Sequence, residues 1–312
     1  MVSSPIAIVG AGITGLTAAA HLREAGEDVT VIDKGRGPGG RMATRVTRAG
    51  LRFDHGAQVL RVEGAGFQRV LEKATEDGAV APWQMGDDTA LVGQPGMADF
   101  AVYLGHGTPV RQSIKVTRLA GAPGAWEITT SEGSETFGAV LLTIPPAQAA
   151  MLLDANPIAD EAAAVEMVPS LALMAAFSPG PPPPFVARSD GESDLSWIAH
   201  DGSKPGRGGA ATFVAIASLA WSKAHLEAEK PEIGAGLLPL LADAIGRDPG
   251  EATYSGGHRW RYARAHTPLG RPFLADPSGT LFVGGDWCLG PHAEHGWESG
   301  RAMAEALLSA RS

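Results

Sequence analysis

The order of apolar and polar positions over the first 33 residues predicts a strand, a helix and a second strand. Residues 6–9 are continuously apolar, residues 16–22 repeat small and apolar side chains, and residues 29–32 are mostly apolar and β-branched. A short continuous apolar run suits a strand of a buried parallel sheet, and a helix between two such strands joins them as a βαβ unit. The chain therefore opens on a predicted parallel sheet.

The same patterns extend along the rest of the chain. Helical periodicity predicts helices over residues 67–74, 97–104, 219–229, 232–246 and 296–310. Short apolar or alternating runs predict strands over residues 110–119, 126–130, 139–144, 171–177, 195–199, 211–217, 253–263 and 281–283. A proline-rich run over residues 178–184 suits neither a helix nor a strand, and we expect a loop there.

The alternation of helices and strands at both ends, with a strand-rich middle, predicts an α/β fold of two domains. A chain of 312 residues is long enough for a Rossmann-type dinucleotide-binding domain with an inserted α+β substrate domain. We assign residues 1–60, 95–150 and 275–312 to the nucleotide domain, and residues 61–94 and 151–274 to the substrate domain.

Composition narrows the classes of partner and compartment. With 25 basic and 34 acidic residues the net charge is −9, which makes nucleic acid and anionic membranes poor partners. No apolar run is long enough to span a bilayer, and the N-terminus lacks the basic start of a signal peptide. The one cysteine, Cys288, cannot form an intrachain disulfide. We therefore expect a cytoplasmic protein without membrane or nucleic-acid partners.

The glycine-rich motif after the first strand predicts a dinucleotide site. Gly10 allows a tight turn, Gly12 lets backbone N–H groups approach a pyrophosphate, and Gly15 lets the helix pack close to the strand. Asp33 ends the second strand, where a carboxylate would hold a ribose hydroxyl. A glycine-rich turn without a ligand is the alternative, but the surrounding strands, helix and acid favour the dinucleotide site.

A local positive region follows in this acidic chain. Residues 34–52, which follow Asp33, contain no acidic residue. Their basic side chains are Lys34, Arg36, Arg41, Arg45, Arg48 and Arg52. Gly39 and Gly40 permit close approach of the backbone, and the planar guanidinium of Arg41 suits a diphosphate. A solvated basic loop is the alternative explanation.

Two further segments carry candidate ligand-binding residues. The first runs from Phe53 to Gln58. The second begins where Gly285 and Asp286 follow the predicted strand 281–283, which places a carboxylate at the carboxyl edge of the sheet, where ligands bind. The helix start near Gly296 offers free N–H groups to a phosphate or to an electron-rich ring edge.

Together these motifs resemble the flavin-dependent amine oxidase superfamily, and the resemblance covers essentially the whole chain. The segments that carry it are residues 10–33, 39–42, 54–58, 285–286 and 297–300. Within the superfamily, the features that resemble bacterial renalases are the short length and residues 34–45, 203–207 and 258–263. The terminal motifs are specific for FAD, whereas the central motifs, which alone separate renalases from their relatives, are less specific.

The resemblance implies FAD as the cofactor and an amine oxidase or p-hydroxybenzoate hydroxylase-like topology. The positions implied to bind FAD are Gly10, Ala11, Gly12, Ile13, Thr14, Gly15, Asp33, Lys34, Arg41, Met42, His55, Gly56, Ala57, Gln58, Val110, Gly285, Asp286, Glu294, Gly296 and Trp297. Among them, Asp33 is implied at the adenosine ribose, Arg41 at the diphosphate and Val110 at the adenine. Residues 56–58 are implied along the flavin, Asp286 near the ribityl chain, and residues 296–297 at the pyrimidine edge.

Three positions depart from the superfamily pattern. Asp33 stands where many relatives have Glu, and His295-Gly296 stands where relatives often have Gly-Ala. His295 either alters the electrostatics of the flavin edge or points away from it. Cys288 does not lie at the position used for covalent flavin attachment in some amine oxidases, so we expect non-covalent FAD.

Aromatic side chains on the predicted strands are the candidates for contacting a substrate. Alternation along residues 253–263 predicts that Arg259 and Arg261 lie on one face and the aromatic side chains on the other. With a tryptophan from a neighbouring strand, that face supplies the candidate catalytic residues Trp197, His258, Trp260 and Tyr262. A plain aromatic core is the alternative.

A basic loop and the search for other chemistry complete the set of candidates. His200, Lys204 and Arg207 lie in a predicted loop that either reaches a substrate phosphate or is simply solvated. No cysteine or histidine spacing typical of a metal site is present, and no nucleophilic constellation is evident.

The resemblance implies a flavin oxidase that converts 2- or 6-dihydronicotinamide isomers of NAD(P)H to NAD(P)+, with O2 as electron acceptor and H2O2 as product. The first alternative is an FAD-dependent amine oxidase or desaturase acting on a small substrate. Against it, the inserted domain is small and only Tyr103, Tyr254 and Tyr262 are available for an aromatic cage. The second alternative is a protein that binds FAD or NAD without turnover.

Overall fold

The computed structural model describes residues 4–153 and 156–311 of the chain, which form both strands and helices. In chain order, strands β1 to β18 are Ile6–Val9, Val29–Ile32, Thr44–Val46, Arg52–Asp54, Val80–Met85, Asp88–Gly93, Val110–Arg111, Val116–Ala122, Ala125–Thr130, Gly133–Phe137, Ala139–Leu142, Met167–Phe177, Ala187–Ser189, Leu195–His200, Thr212–Ala217, Ala252–Ala265, Phe273–Ala275 and Leu281–Gly284. Helices α1 to α8 are Ile13–Glu24, Ala65–Glu76, Met97–Leu104, Pro146–Leu153, Ile158–Ala163, Leu219–Ala224, Lys230–Ile245 and Ala293–Arg311.

A six-stranded sheet in the order β17-β18-β11-β1-β2-β7 forms the centre of the nucleotide-binding part. Strands β18, β11, β1, β2 and β7 pair in parallel, and β17 pairs antiparallel at the edge. The central strands β1 and β11 are fully buried, as their continuous apolar runs predict. The fold is therefore α/β with a Rossmann-like sheet, as expected from the sequence.

Helices α1 and α8 approach one another closely because glycine occupies the contact. A Cβ on Gly296 would lie 2.7 Å from Ile13, and a Cβ on Gly300 would lie 2.3 Å from the carbonyl oxygen of Thr14. Both helices start at the carboxyl edge of the sheet, after β1 and after β18 respectively. The glycines of the last helix thus bring its N-terminal turn next to that of α1.

The middle of the chain forms a five-stranded antiparallel sheet in the order β13-β14-β15-β12-β16. One of its faces packs on α7, where Leu171 and Leu173 share a buried cluster with Ile233, Leu237 and Leu241. The other face meets β4 through Phe53, which packs with Met174, Ala176 and Val214. This five-stranded sheet, which we call the substrate sheet because it lies in the predicted substrate domain, therefore packs directly against the strand that leads into residues 55–58.

Most predicted elements form, with two errors that have local causes. The single strand predicted over residues 110–119 is wrong: it is β7 followed by β8, because Ser113 takes a left-handed conformation with φ of 61° and interrupts the extended backbone. The helix predicted over residues 219–229 ends at Ala224, and α7 starts at Lys230, where Glu229 and Glu232 form a reciprocal cap.

The proposed domain boundaries stay a prediction. Phe67 of α2 and Trp83 and Val92 of the β5–β6 hairpin share a buried cluster with Ile6 and Ile8 of the central sheet. Residues 61–94 therefore also contribute to the core around the nucleotide-binding sheet. Among the described residues, no helix is both long and apolar enough to cross a membrane.

Candidate active site

Two glycines of the first motif, Gly10 and Gly15, are required by close packing, whereas the third, Gly12, faces open space. Gly10 has a φ of 113°, and a Cβ there would lie 2.8 Å from the carbonyl oxygen of Thr143. A Cβ on Gly15 would lie 2.0 Å from the carbonyl oxygen of Gly10. Gly12 differs, since nothing lies within 4 Å of its Cβ position. The open side of the turn is thus at Gly12, the position predicted to admit a pyrophosphate.

The start of α1 offers backbone donors to an anion. Its N-cap is Gly12, no side chain caps the helix, and its first turn contains no acidic residue. The first N–H groups of a helix have no intrahelical partner, and they carry the positive end of the helix dipole. Gly39 donates its N–H to the carbonyl oxygen of Ala11 at 2.8 Å and forms a bridge with Gly12. The second glycine pair therefore lies beside the first, as a diphosphate cradle requires.

Asp33 lies at the end of β2 and fixes both neighbouring loops. Its Oδ2 accepts the N–H of Ala11 at 2.6 Å, and its Oδ1 accepts the N–H of Gly35. The carboxylate thus stands at the edge predicted for ribose binding. Its neighbour Lys34 donates to Gln148 Oε1 at 2.9 Å, and partial desolvation lowers the pKa of its ammonium group. Val110 lies on β7, paired with Val31.

Arg41 joins the second motif to the last one. Its guanidinium donates from Nη2 to Asp286 Oδ1 at 2.6 Å and from Nη1 to Asp286 Oδ2 at 2.8 Å. A further bond runs from Nη1 to the carbonyl oxygen of Ala263 on β16 at 3.1 Å. This fork-on-carboxylate geometry is the strong form of an ion pair. It connects the glycine loop, the substrate sheet and the carboxyl edge of β18, and the adjacent Met42 is buried.

Residues 55–58 are held against the carbonyl group of Arg41. Ala57 donates its N–H to that oxygen at 2.9 Å, and a Cβ on Gly56 would lie 1.9 Å from it. Gln58 Nε2 donates back to the carbonyl oxygen of Gly56 at 3.1 Å. Glycine is therefore the residue that fits at position 56, and these bonds hold the backbone of the segment beside Arg41.

Residues of the last motif lie in two places, some beside the start of α1 and others against the start of α2. Gly296 lies against Ile13 at the start of α1, and Gly285 precedes Asp286 at the end of β18. Glu294 accepts the N–H groups of Glu63 and Gly64, at 2.5 and 2.8 Å respectively, so its carboxylate anchors the start of α2.

Trp297 and His295 turn their side chains away from the Gly12 turn. Trp297 packs on Phe67 with ring centroids 5.6 Å apart. His295 accepts the N–H of His292 on Nδ1 at 3.1 Å, and its Nε2 lies 3.5 Å from Glu63. The Trp297 ring therefore packs on α2 and the His295 ring lies beside Glu63, and the roles of both residues at a flavin edge stay predictions.

The predicted alternation along β16 is present. Arg259 donates to the carbonyl oxygen of Leu226 at 2.9 Å, and Arg261 forms two bonds of 2.8 Å with Glu227. On the other face, the ring of His258 lies 4.2 Å from that of Trp260, and each packs on His55, at 4.5 and 5.3 Å. Trp260 also donates from Nε1 to the carbonyl oxygen of His55 at 2.8 Å. The aromatic face thus meets the predicted flavin segment.

Trp197 shares that face of the sheet. Trp197 pairs with Ile216, Ile216 with Ala172, and Ala172 with His258. Residues paired across antiparallel strands point to the same side. Trp197 and His258 therefore stand at the two ends of one row, about 14 Å apart at three strand spacings. Tyr262 follows on β16 and is partly buried.

The aromatic cluster is uncharged and has basic surroundings. Burial, together with the charges of His55, Lys230 and Arg45, lowers the pKa of His258 to about 3. Burial likewise lowers the pKa of His55. Arg45 lies on β3 opposite Phe53, whose ring stacks on Tyr254 of β16 at 5.2 Å. The carbonyl oxygen of Lys230 lies 2.2 Å from the Cβ position of Gly257, beside His258.

The basic loop after β14 is neither solvated nor open to a substrate phosphate, so both alternatives from the sequence are wrong. Lys204 and Arg207 are buried and bind two buried carboxylates, Asp54 and Asp201. His200 bonds through Nε2 with the carbonyl oxygen of Ala210 at 3.0 Å. Because the carboxylates neutralise both cations, this loop offers no free positive charge to an anion.

Metal and thiol chemistry find no support in the described residues. No group of three or more histidine, cysteine, aspartate or glutamate side chains is placed to hold a metal ion in residues 4–153 and 156–311. Cys288 is fully buried, and burial raises the pKa of its thiol to about 12. It therefore stays a thiol at neutral pH, and the thiolate, not the thiol, is the reactive form.

Comparisons with known families agree with this geometry. Residues 8–74 match the NAD(P)-binding Rossmann-like domain, and residues 79–308 match the flavin containing amine oxidoreductase family. A phytoene desaturase of Neurospora crassa is 49% identical over 57 residues, 18% of this chain and 10% of that protein. A 4,4'-diapophytoene desaturase of Staphylococcus haemolyticus is 46% identical over 69 residues, 22% of this chain and 13% of that protein. The matches thus span about a tenth of these curated relatives.

Solved structures show the same fold over the whole chain. A provisional protoporphyrinogen oxidase from Exiguobacterium sp. gives a TM-score of 0.77 at 13% identity, covering 99% of this chain and 100% of that one. Cyclohexylamine oxidase from Brevibacterium oxydans gives 0.71 at 15% identity, covering 98% and 99% respectively. The open Gly12 turn, the uncapped helix and the Arg41–Asp286 pair fit a flavin dinucleotide. The chain belongs to the flavin containing amine oxidoreductase family, and its cofactor is FAD.

Proposed function

We propose that this protein is a renalase-like oxidase that converts 2- and 6-dihydronicotinamide isomers of NAD(P)H to NAD(P)+ and passes the electrons to O2, giving H2O2. The observation that carries the proposal is the uncharged aromatic cluster of His55, His258 and Trp260, packed on the predicted flavin segment and flanked by basic side chains.

The shape of the sheet face suits a flat ring. Trp197 and His258 stand at the ends of a row whose middle positions are Ile216 and Ala172, so the two ring side chains flank smaller aliphatic ones. A dihydronicotinamide ring is flat and neutral, and aromatic walls position such a ring without a charge. We therefore assign Trp197, His258 and Trp260 to holding the substrate ring, with Tyr262 further along the same strand.

The charges near the cluster favour a nucleotide over an amine. Besides the neutral ring of His55, the groups that lower the pKa of His258 are the basic side chains of Lys230 and Arg45. The carboxylates that act on His55, Asp54 and Asp201, are each paired with two buried cations. A positive surrounding attracts the diphosphate of a dinucleotide and repels an alkylammonium ion. Nor do the tyrosines form a cage around an amine: Tyr103 bonds to Asp77 on the surface, and Tyr254 stacks on Phe53. These observations favour the dihydronicotinamide substrate.

When bound, FAD supplies the hydride acceptor and the route to oxygen. The residues of this chain bind, orient and shield. The Gly12 turn and Arg41 hold the cofactor, the aromatic row aligns the substrate ring, and the buried position of His55 keeps water from the contact between the two. The pKa of His258, lowered to about 3 by burial and its neighbours, makes this ring a neutral wall of the site at neutral pH.

Product analysis under air tests this proposal. Purified protein is mixed with 6-dihydro-NAD, 2-dihydro-NAD, ordinary NADH, benzylamine and putrescine in separate reactions. We expect NAD+ and H2O2 in a one-to-one ratio from one or both dihydro isomers, and neither aldehyde nor peroxide from the amines. Peroxide with aldehyde from an amine, and no NAD+ from either isomer, would assign the protein to the amine oxidase alternative.

A further inference from the structure

A cluster of four charged side chains lies in the interior, directly behind the predicted flavin segment. It consists of Asp54, Asp201, Lys204 and Arg207, and none of these side chains is more than 2% exposed. We call it the buried charge cluster. Two carboxylates balance two cations, so the cluster is neutral as a whole. Charges are costly to bury, and a group kept in the interior needs complete pairing.

Each carboxylate of the buried charge cluster forms ion pairs with both cations. Lys204 Nζ lies 3.0 Å from Asp54 Oδ2 and 2.7 Å from Asp201 Oδ1, and Arg207 binds the same two carboxylates. Asp54 also accepts from Thr44 Oγ1 at 2.7 Å and from the N–H of Met97 at 3.1 Å. Burial alone would raise the pKa of Asp54, but Lys204 and Arg207 outweigh it and lower the pKa below its ordinary value.

The members of the cluster come from the two sides of the predicted substrate cavity. Asp54 ends β4 and is followed by His55, whose ring contacts His258 and Trp260. Asp201 follows β14, the strand that carries Trp197. The N–H of Asp54 donates to Asp201 Oδ2 at 2.9 Å, so the two sides are also joined through the backbone.

Further bonds fix the loop that carries the two cations. Arg207 donates from Nε to the carbonyl oxygen of Pro95 at 3.1 Å, next to the start of α3. Lys204 lies over the ring of Trp83 at 5.2 Å, and Trp83 donates from Nε1 to Ser203 Oγ at 3.0 Å. The loop therefore has one position relative to β4, and that position is set by ion pairs rather than by apolar packing.

We propose that Lys204 and Arg207 are positioning residues, which set the distance between the flavin segment at residues 55–58 and the substrate sheet that carries Trp197. Lys204 binds both carboxylates at once, one from each side of the cavity. Loss of the bridge lets the two walls of the cavity separate. Hydride transfer depends steeply on the alignment of two rings, and a displacement near 1 Å costs roughly 100-fold in rate.

A charge-balanced variant separates positioning from stability. Lys204→Met alone leaves two carboxylates facing one cation, and it would destabilise the fold. Asp201→Asn with Lys204→Met removes one charge of each sign and leaves Asp54 paired with Arg207. The control is Glu27→Gln with Arg311→Met, which removes the ion pair between the turn that follows α1 and the end of α8.

Two readouts apply to the FAD-loaded protein. The first is the circular dichroism of the bound flavin between 350 and 500 nm, which reports the asymmetry of its surroundings and requires no substrate. The second is the limiting rate of anaerobic flavin reduction by the dihydro-NAD isomer that the wild type accepts. In the cluster variant we expect full FAD content, an altered visible dichroism and a reduction rate lower by about tenfold to 100-fold. In the control we expect wild-type values of both.

Visible dichroism and reduction rate equal to those of the control would overturn the inference and leave the cluster a purely structural feature. If the double variant does not fold, Arg207→Lys keeps the charge but removes the planar fork that binds Asp54 and Asp201 through separate nitrogen atoms, and the same two readouts decide. The inference depends on the proposed function for the second readout only. If no dihydro-NAD isomer reduces the wild type, the proposed function fails, whereas the visible dichroism still tests the positioning role.

Discussion

Replacement of Arg41 by alanine tests the cofactor site most sharply, because the chain contains a matched control. Arg41 makes two bonds to Asp286, at 2.6 and 2.8 Å, and one to the carbonyl oxygen of Ala263 at 3.1 Å. Arg259 makes backbone bonds of comparable length on the opposite face of β16. The two arginine side chains are 30% and 25% exposed, so they differ in location rather than in burial.

The expected loss follows from the role predicted for Arg41, a charged hydrogen bond to the diphosphate of FAD. A hydrogen bond to a charged group contributes roughly 1.5–3 kcal/mol, which corresponds to about tenfold to 150-fold in a binding constant. Since Arg41 is partly exposed, solvent screening places its contribution in the lower half of that range. We expect Arg41→Ala to raise the Kd for FAD by about tenfold to 30-fold. Arg259→Ala should change it by less than about twofold, since no bond near the cofactor is lost.

Equilibrium titration of the apoprotein measures both constants, because free FAD fluoresces and bound FAD is quenched. Thermal unfolding of the apoproteins checks that the two variants lose similar stability. Equal FAD affinity in Arg41→Ala and Arg259→Ala would remove Arg41 from the cofactor site. It would also refute the idea that the Arg41–Asp286 pair organises the diphosphate region.

Three further outcomes follow from the site. Trp260→Ala and Trp197→Ala should each slow anaerobic flavin reduction by about tenfold or more while FAD stays bound; wild-type rates in both would make the aromatic row ordinary core. The depressed pKa of His258, about 3, means that the unfolded chain binds one more proton than the folded one between pH 6.5 and about 3. Stability should therefore fall as the pH drops through that window, and His258→Gln should flatten the fall in acid titrations; an unchanged slope would contradict a neutral His258. Cys288 should resist thiol reagents at pH 8 in the folded protein, and acid precipitation should release all FAD into the supernatant; rapid native labelling, or colour kept in the pellet, would contradict a buried thiol and non-covalent FAD.

The sequence carries the local parts of this structure well. The glycine motif could be predicted because each required glycine, such as Gly10 or Gly15, avoids a clash with an atom a few residues away or on the neighbouring strand. The two faces of β16 were readable because side chains alternate along any extended strand, and Arg259 and His258 do lie on opposite sides.

Long-range pairing was beyond sequence reasoning. The sequence around Lys204 and Arg207 is typical of a basic surface loop, because their carboxylate partner Asp54 is far away in the chain. It lies 150 residues before Lys204. A partial signal existed, since Asp201 lies three residues before Lys204, a spacing that allows an ion pair. The break at Ser113 was missed for another reason: nothing in its neighbours indicates that a serine takes a positive φ there.

The carboxyl end of the last motif shows the limit of a resemblance. Glu294 and Trp297 match positions implied to bind FAD, yet the Glu294 carboxylate holds the start of α2 and the Trp297 ring packs on Phe67. A motif fixes the backbone path, whereas the direction of each side chain depends on the element packed against it. Their cofactor roles therefore stay predictions that rest on backbone N–H groups near Gly296.

The most direct measurement of the central claim is an anaerobic titration of the FAD-loaded protein, followed at the flavin absorbance band near 450 nm. The account predicts that 6-dihydro-NAD or 2-dihydro-NAD bleaches the band at one equivalent per flavin and that NAD+ appears in the same amount. It also predicts that benzylamine and putrescine leave the band unchanged over the same period. Bleaching by an amine, with no response to either dihydro isomer, would contradict the account and place the protein among the amine oxidases.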